Sequence, residues 1–393
     1  MEGRSPPLDR AGSHAGLPAA PGQTVSALLS AALQASRTKP SSPWSRCSTS
    51  TWPTTRSVYL HNNQLSNAGL PYNAFNGSDA VSTMILSSNQ LSYLPQNLPP
   101  ALVRLHLQNN RISRIPRGAL SSQGKLRELY LQNNNLSNQG LDPSTFSKLK
   151  SLEYLDLSNN NLSEIPASFP PSIVILHLGK NHIGALPRDS LSRARGLQYL
   201  LLQNNHLTAA GVQPEAVIKP ARLHTPLLRL PQNQINSLSP ELLANLTGLK
   251  ELHLAHNRLR VGSITPGTWQ ELQGLKLLDL SHNELSYVPP DLPESLEYLY
   301  LQHNRIAVIE AGAFRTVPDI RAIILRSNRL LQASVSPAAF AALEQLEVVD
   351  TTGNPEPISV PMPRARQWLR APPGASLDGG GPTPGSFPSA APR

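Results

Sequence analysis

Leucine recurs along this chain in a fixed phrase, L-x-x-L-x-L-x-x-N-x-L, with polar or aromatic residues in the gaps. Leu126–Leu136 (LRELYLQNNNL), Leu152–Leu162 (LEYLDLSNNNL), Leu249–Leu259 (LKELHLAHNRL) and Leu296–Ile306 (LEYLYLQHNRI) carry it well. The marker asparagines are Asn63, Asn89, Asn110, Asn134, Asn160, Asn181, Asn205, Asn233, Asn257, Asn283, Asn304, Asn328 and Asn354. The first and last copies are degraded: Thr55 stands for the first leucine, and Thr351 and Glu356 replace later ones. The L-x-L centre alternates with the two-residue period of a strand. Each copy therefore predicts one short strand, its leucines turned inward and the intervening residues outward. The asparagine follows where the chain leaves the strand, and its amide can satisfy backbone groups that the turn leaves open.

Such a phrase repeated at this period is the leucine-rich-repeat signature. The expected fold is α/β: a solenoid horseshoe with a parallel concave β-sheet and a convex side that is mostly irregular, short-helical or polyproline. No single repeat can bury its leucines alone, so neighbours must stack. The marker spacings run 26, 21, 24, 26, 21, 24, 28, 24, 26, 21, 24 and 26 residues. The 21-residue copies share a proline phrase, Pro95 to Pro99, Pro166 to Pro170 and Pro289 to Pro293, which keeps the convex segment extended. The longer copies leave room for a helical turn, as around Thr145 to Leu149. The 28-residue step breaks the 26–21–24 period, as though one short repeat were missing. Pro226 and Pro231 flank the strand there, and proline cannot donate to a ladder. Residues 211–232 are thus the expected weak seam, with fast hydrogen exchange at 227–231.

Strand alternation identifies the concave face. Four residues before each marker lie Tyr59, Ile85, His106, Tyr130, Asp156, His177, Leu201, Arg229, His253, Asp279, Tyr300, Ile324 and Asp350. A parallel row two residues earlier includes Arg104, Glu128, Tyr154, Tyr199, Glu251 and Tyr298. Six of the nine tyrosines fall on these rows. Tyrosine offers contact area and a hydrogen-bonding tip at small entropic cost, so the face reads as a protein-binding surface. Tyr59, His106, Tyr130, Tyr154, Asp156, His177, Tyr199, Arg229, His253, Asp279, Tyr298 and Tyr300 are the candidate contacts, with Asp156 expected to face a partner's lysine or arginine. Asp156 beside His177, and His253 beside Asp279, look like parts of a catalytic triad, but no nucleophile follows on the next strand. His106, His177 and His253 are three strands apart, about 14 Å, too far to share a metal. No enzyme activity, metal site or cofactor is expected.

Composition adds two ends and a compartment. Residues 1–53 and 359–393 are rich in proline, serine, alanine and glycine and read as disordered tails around an array at 54–358. The net charge of +9 is mostly theirs: residues 57–360 hold 24 basic and 22 acidic side chains. A basic face built for nucleic acid is therefore not expected. No apolar run approaches the ~18 residues of a membrane span. The single cysteine, Cys47, excludes an internal disulfide. Four glycosylation sequons begin at Asn76, Asn135, Asn161 and Asn245 and favour the secretory route. Against this, the only candidate leader is the apolar stretch Val25 to Ala35, far from the start.

With these phrases in view, the chain resembles the small leucine-rich proteoglycans, and within them the podocan group. The resemblance is carried by Ser57 to Leu65 (SVYLHNNQL), Phe75 to Ser78 (FNGS), Leu126 to Leu131 (LRELYL), Ser151 to Ser163 (SLEYLDLSNNNLS) and Ser295 to Leu301 (SLEYLYL). It implies a secreted matrix glycoprotein that binds fibrillar collagen through the concave face and affects cell growth or migration, with a cell-surface receptor among its partners. That family opens with a four-cysteine cap, whereas Cys47 here has no partners, so the first strand near Val58 and Leu60 is expected to fray. No Ser-Gly dipeptide occurs, so glycosaminoglycan attachment is not expected. The alternative reading is an intracellular repeat scaffold or adaptor.

Overall fold

The computed structural model describes residues 55–361, except 73, 189, 214–226 and 245, together with the pair 366–367. Two compact units are distinguished: one runs to His182 and takes in Arg193–Leu197, and the other comprises Ile183–Ser192 and the chain from Gln198. In the first, three-residue strands β1 (Ser57–Tyr59), β2 (Thr83–Ile85), β3 (Arg104–His106), β4 (Glu128–Tyr130), β5 (Tyr154–Asp156) and β6 (Ile175–His177) lie parallel and in register. The second repeats the arrangement with β7 (Tyr199–Leu201), β8 (Leu227–Arg229), β9 (Glu251–His253), β10 (Leu277–Asp279), β11 (Tyr298–Tyr300), β12 (Ala322–Ile324) and β13 (Val348–Asp350). A two-residue strand, β14 (Arg366–Gln367), pairs with β13.

The middle residue of every strand from β1 to β13 is buried, and Leu105, Leu129, Leu155, Leu252, Leu278 and Leu299 are 0% exposed. Each such leucine contributes about 2 kcal/mol of burial. The ladder asparagines join the repeats. Asn134 Nδ2 donates to the carbonyls of Leu107 and Leu131, both at 3.0 Å, and its Oδ1 accepts from Ile112 N at 2.9 Å. The pattern recurs copy after copy, and all but the end members Asn63 and Asn354 are buried.

The residue just before the marker is left-handed in every copy. Its φ is 51–58° in twelve copies, from Asn62 to Ser327, and 73° at Gly353. The chain turns there from the strand into the ladder position, and asparagine tolerates that conformation better than most residues.

On the outer side, each 26-residue copy carries a short 3-10 turn: Asn67–Gly69, Asn138–Gly140, Val261–Ser263 and Gln332–Ser334. A Cβ at Gly140 would lie 2.0 Å from the Ser113 carbonyl of the preceding repeat, so glycine is required there. Pro240–Leu243 forms one α-helical turn, α1. Thr145 to Leu149 is not helical, contrary to expectation. Its amides reach back three residues, Thr145 N to Asp142 O and Leu149 N to Phe146 O, and Asp142 Oδ1 captures the Ser144 amide, closing a tight turn.

Two sequence expectations change. Strand β1 is paired, with Leu60 N donating to Ile85 O at 2.8 Å, and Val58 and Leu60 are buried. At the phase break, β8 pairs with strands on both sides. Pro231 occupies the position of Gln132, between the ladder-donating amides of Leu131 and Asn133, and its carbonyl still accepts from Asn204 N at 2.9 Å. Proline at 231 therefore removes no ladder bond. The difference lies at the strand's start, where Leu227 N donates to Gln198 O at 3.3 Å against 3.0 Å for Glu128 N to Val103 O. Residues 214–226 of the expected seam, Pro226 among them, lie outside the described residues.

Candidate functional site: the open face of the sheet

The residues flanking each buried strand centre line the open face, and most are half-buried. In the first unit, register places His106, Tyr130, Asp156 and His177 in one row and Arg104, Glu128 and Tyr154 in the next. The imidazole of His106 stacks on Tyr130 with centroids 4.2 Å apart, and Tyr130 lies 4.9 Å from Tyr154. Three rings thus form a strip across three strands. Arg104 Nε donates to Glu128 Oε1 at 2.9 Å, and Tyr130 OH donates to Glu128 Oε2 at 3.1 Å. Burial, then the Glu128 charge and hydrogen bond, push the Tyr130 phenol up to about 12. Burial raises Tyr154 further, with help from Asp156. Both phenols therefore stay neutral donors, and burial holds the His106 imidazole below its usual range.

Asp156 departs from expectation. It is 5% exposed, and its Oδ1 accepts from Ser158 N at 2.9 Å and Ser158 Oγ at 2.6 Å. His177 Nδ1 lies 3.4 Å from its Oδ2. Burial alone would raise this carboxyl, but bonds from His177 and Ser158 outweigh it and hold the group below the usual range. The carboxylate is occupied within the array and is not free for a partner's lysine or arginine.

The second unit carries an ionic cluster. His253 sits between Glu251 (Nε2 to Oε2, 3.2 Å) and Asp279 (Nδ1 to Oδ2, 3.7 Å), and Asp279 Oδ1 also accepts from Ser281 N at 3.0 Å. Burial opposes charge on His253, but the bonds to Asp279 and Glu251 prevail and raise its pKa. Arg229 and Tyr300 flank this row on β8 and β11, with Tyr298 beside Tyr300 on β11 and Tyr199 on β7. Tyr59 stands on β1, its ring 6.4 Å from His61 and edge-on. Among the described residues, no group of three or more His, Cys, Asp or Glu side chains is placed to hold a metal ion, and no helix is long and apolar enough to cross a membrane.

The profile of the leucine rich repeat family matches residues 100–162, 138–171, 226–285 and 294–355. Podocan-like protein 1 of Mus musculus is 44% identical over 399 residues, covering 78% of this chain and 71% of that one. The chain belongs to the podocan group of the small leucine-rich proteoglycans. Podocan of Mus musculus is 39% identical over 392 residues, covering 77% of this chain and 64% of that protein. The podocan group's homologues are leucine-rich-repeat proteoglycans of the extracellular matrix, a non-enzymatic family. Among solved structures, a leucine-rich-repeat protein of Leptospira interrogans superposes with a TM-score of 0.53 at 21% identity, covering 84% of this chain and 90% of that one; this likeness concerns the fold.

In this podocan relative, three sequon asparagines, Asn76, Asn135 and Asn161, are exposed; Asn245 lies outside the described residues. Sequence reasoning missed one feature. His256, His282 and His303 stand just before their ladder asparagines and stack with centroids 3.9 and 4.2 Å apart. The signal was available in Ala-His-Asn, Ser-His-Asn and Gln-His-Asn at one register position in three successive copies.

Proposed function

We propose that this protein acts outside the cell as a non-catalytic matrix glycoprotein whose sheet face binds fibrillar collagen or another extended protein. The observation that carries this reading is the ring cluster of His106, Tyr130 and Tyr154, in which three successive strands present adjoining aromatic surface across the two rows. The ring faces and edges suit a partner that offers apolar rings along its length, since the Tyr130 and Tyr154 hydroxyls already point to Glu128 and Asp156. Tyr298 and Tyr300 of the second unit offer the same chemistry, and Arg229 adds charge beside them. A bound matrix fibre would bring a cell-surface receptor into reach and so alter growth or migration.

The test is solid-phase binding of the full chain to type I collagen fibrils. Tyr154→Ala with Tyr298→Ala should weaken binding at least tenfold; unchanged affinity would remove the reading. Export is checked separately by N-glycosidase treatment of protein from culture medium. A fall in mass is expected, and unmodified protein confined to the cytosol would favour an intracellular scaffold instead.

A further inference from the structure

The histidine stack lies in the second unit, at the turn where each strand hands over to its ladder asparagine. Its position is fixed by the backbone. His256 N donates to Ser281 O at 3.0 Å, His282 N to Gln302 O at 2.9 Å and His303 N to Arg326 O at 3.0 Å. The three rings therefore follow the repeat spacing, faces together and edges outward, with His256 and His303 exposed. Two residues on from each histidine, beyond the buried asparagine, a second row runs Arg258, Glu284, Arg305 and, one copy further, Arg329. It too is held by regular bonds between repeats, Arg258 N to Ile235 O at 2.9 Å and Arg305 N to Leu285 O at 2.8 Å. Glu284 is matched by Arg260 at 2.9 Å and Arg305 at 3.3 Å. Counting Arg258, Arg260, Arg305 and Arg329 against Glu284, this edge is already basic when the histidines are neutral. In the first unit the equivalent row is Asn62, Ser88, Asn109, Asn133, Asn159 and Lys180, without a histidine, and its three central asparagines are linked amide to amide at 2.7 and 2.6 Å.

We propose that this edge, formed by His256, His282 and His303 beside Arg258, Arg305 and Arg329, is a docking strip for linear sulfated polysaccharides, and that acid strengthens the binding. The arginines attract the polyanion at every pH, and the stack is the part of the strip that responds to acid. Acidification crosses the range in which imidazoles take up protons. Cations 4 Å apart repel one another, so protonation of the stack is favoured when an anion lies along its edge. Asp279 is the charge that acts on the stack, favouring protonation of His282, while Glu284, two residues on from His282, is paired with Arg260 and Arg305. Arg326, next to His303, is committed to Asp350 Oδ2 at 2.7 Å. Burial and the two neighbouring rings push His282 down to about 4. A linear chain of sulfates matches this arrangement, because the repeats of Asn257, Asn304 and Asn328 carry Arg258, Arg305 and Arg329 at one register position.

The experiment measures binding of the full chain to immobilised heparin at pH 7.4 and 5.5 and constant ionic strength. The wild type should bind roughly three- to tenfold more tightly at pH 5.5, the gain expected of one or two added exposed ion pairs. A triple variant, His256→Asn, His282→Asn and His303→Asn, places at each site the residue that the first unit carries in the same left-handed conformation. It should retain the affinity at pH 7.4 and lose the gain. Arg258→Gln with Arg305→Gln and Arg329→Gln should weaken binding at both pH values. Absence of a gain in the wild type, an undiminished gain in the histidine variant, or unchanged binding in the arginine variant would each overturn the proposal. Tyr154→Ala with Tyr298→Ala should leave the heparin response intact, which separates this strip from the collagen reading.

Discussion

The imidazole of His106 lies flat on the phenol of Tyr130, with centroids 4.2 Å apart and planes 9° from parallel. They meet because β3 and β4 pair in register, so the residues four before Asn110 and Asn134 become neighbours. Such a pair contributes about 1 kcal/mol beyond its buried area. His106→Ala should accordingly lower the stability of the first unit by about 1–2 kcal/mol, seen as faster amide exchange across β3 and β4. Unaltered exchange would mean that the stack contributes nothing to order. The burial that depresses the His106 pKa also fixes a sign. A histidine whose folded pKa lies below its unfolded value costs stability as pH falls below the unfolded value near 6.5.

The ladder asparagine and its neighbour provide a paired test. Asn160 is buried, donates to the Leu131 and Leu157 carbonyls and accepts from Leu136 N, whereas Asn161 is exposed. Asn160→Ala leaves a buried amide unpaired and should cost about 2–4 kcal/mol by chemical denaturation. Asn161→Gln should change stability by less than about 0.5 kcal/mol.

The Glu251–His253–Asp279 cluster gives the second unit a pH window. His253 has a raised pKa, so its contribution is complete below the unfolded histidine value and is lost as pH rises through the folded value. For Glu251, the hydrogen bond from His253 outweighs burial; for Asp279, the larger burial effect is outweighed by bonds from His253 and Ser281. Both are lowered, so their contribution is present above the unfolded carboxylate values and fades as pH falls through the folded ones. Stability from the cluster should therefore peak between the carboxylate and histidine ranges. Thermal melts of wild type and His253→Gln from pH 4 to 8 should converge at the alkaline end. A constant difference across that range would show that the charges are uncoupled.

The leucine phrase made the strands, their parallel order and the identity of the outward rows legible, because backbone alternation determines them. It did not reveal what those outward residues do to one another. Asp156 has the strand position of an exposed contact, yet Ser158, two residues on, folds its hydroxyl and amide back onto the carboxylate and buries it. Pro231 looks like a ladder breaker, but it falls on an amide that the ladder does not use. The histidine stack stayed hidden because single histidines in separate copies become a feature only after the repeats are superposed.

The Leu230 amide, bonded to His253 O at 2.9 Å, should exchange as slowly as the Leu157 amide, bonded to His177 O at 2.8 Å, while Leu227 with its 3.3 Å bond should exchange faster. Uniformly fast exchange from 227 to 230 would show that β8 is poorly held despite its pairing.

The most direct test of the central claim is hydroxyl-radical footprinting of tyrosine side chains in the full chain, with and without type I collagen fibrils. Tyr72 and Tyr287 are 70% and 51% exposed on the outer side and serve as internal references. The account predicts that fibrils protect Tyr130, Tyr154, Tyr298 and Tyr300 and leave Tyr72 and Tyr287 oxidised as before. Protection of Tyr72 and Tyr287 with no change at the sheet-face tyrosines would contradict it.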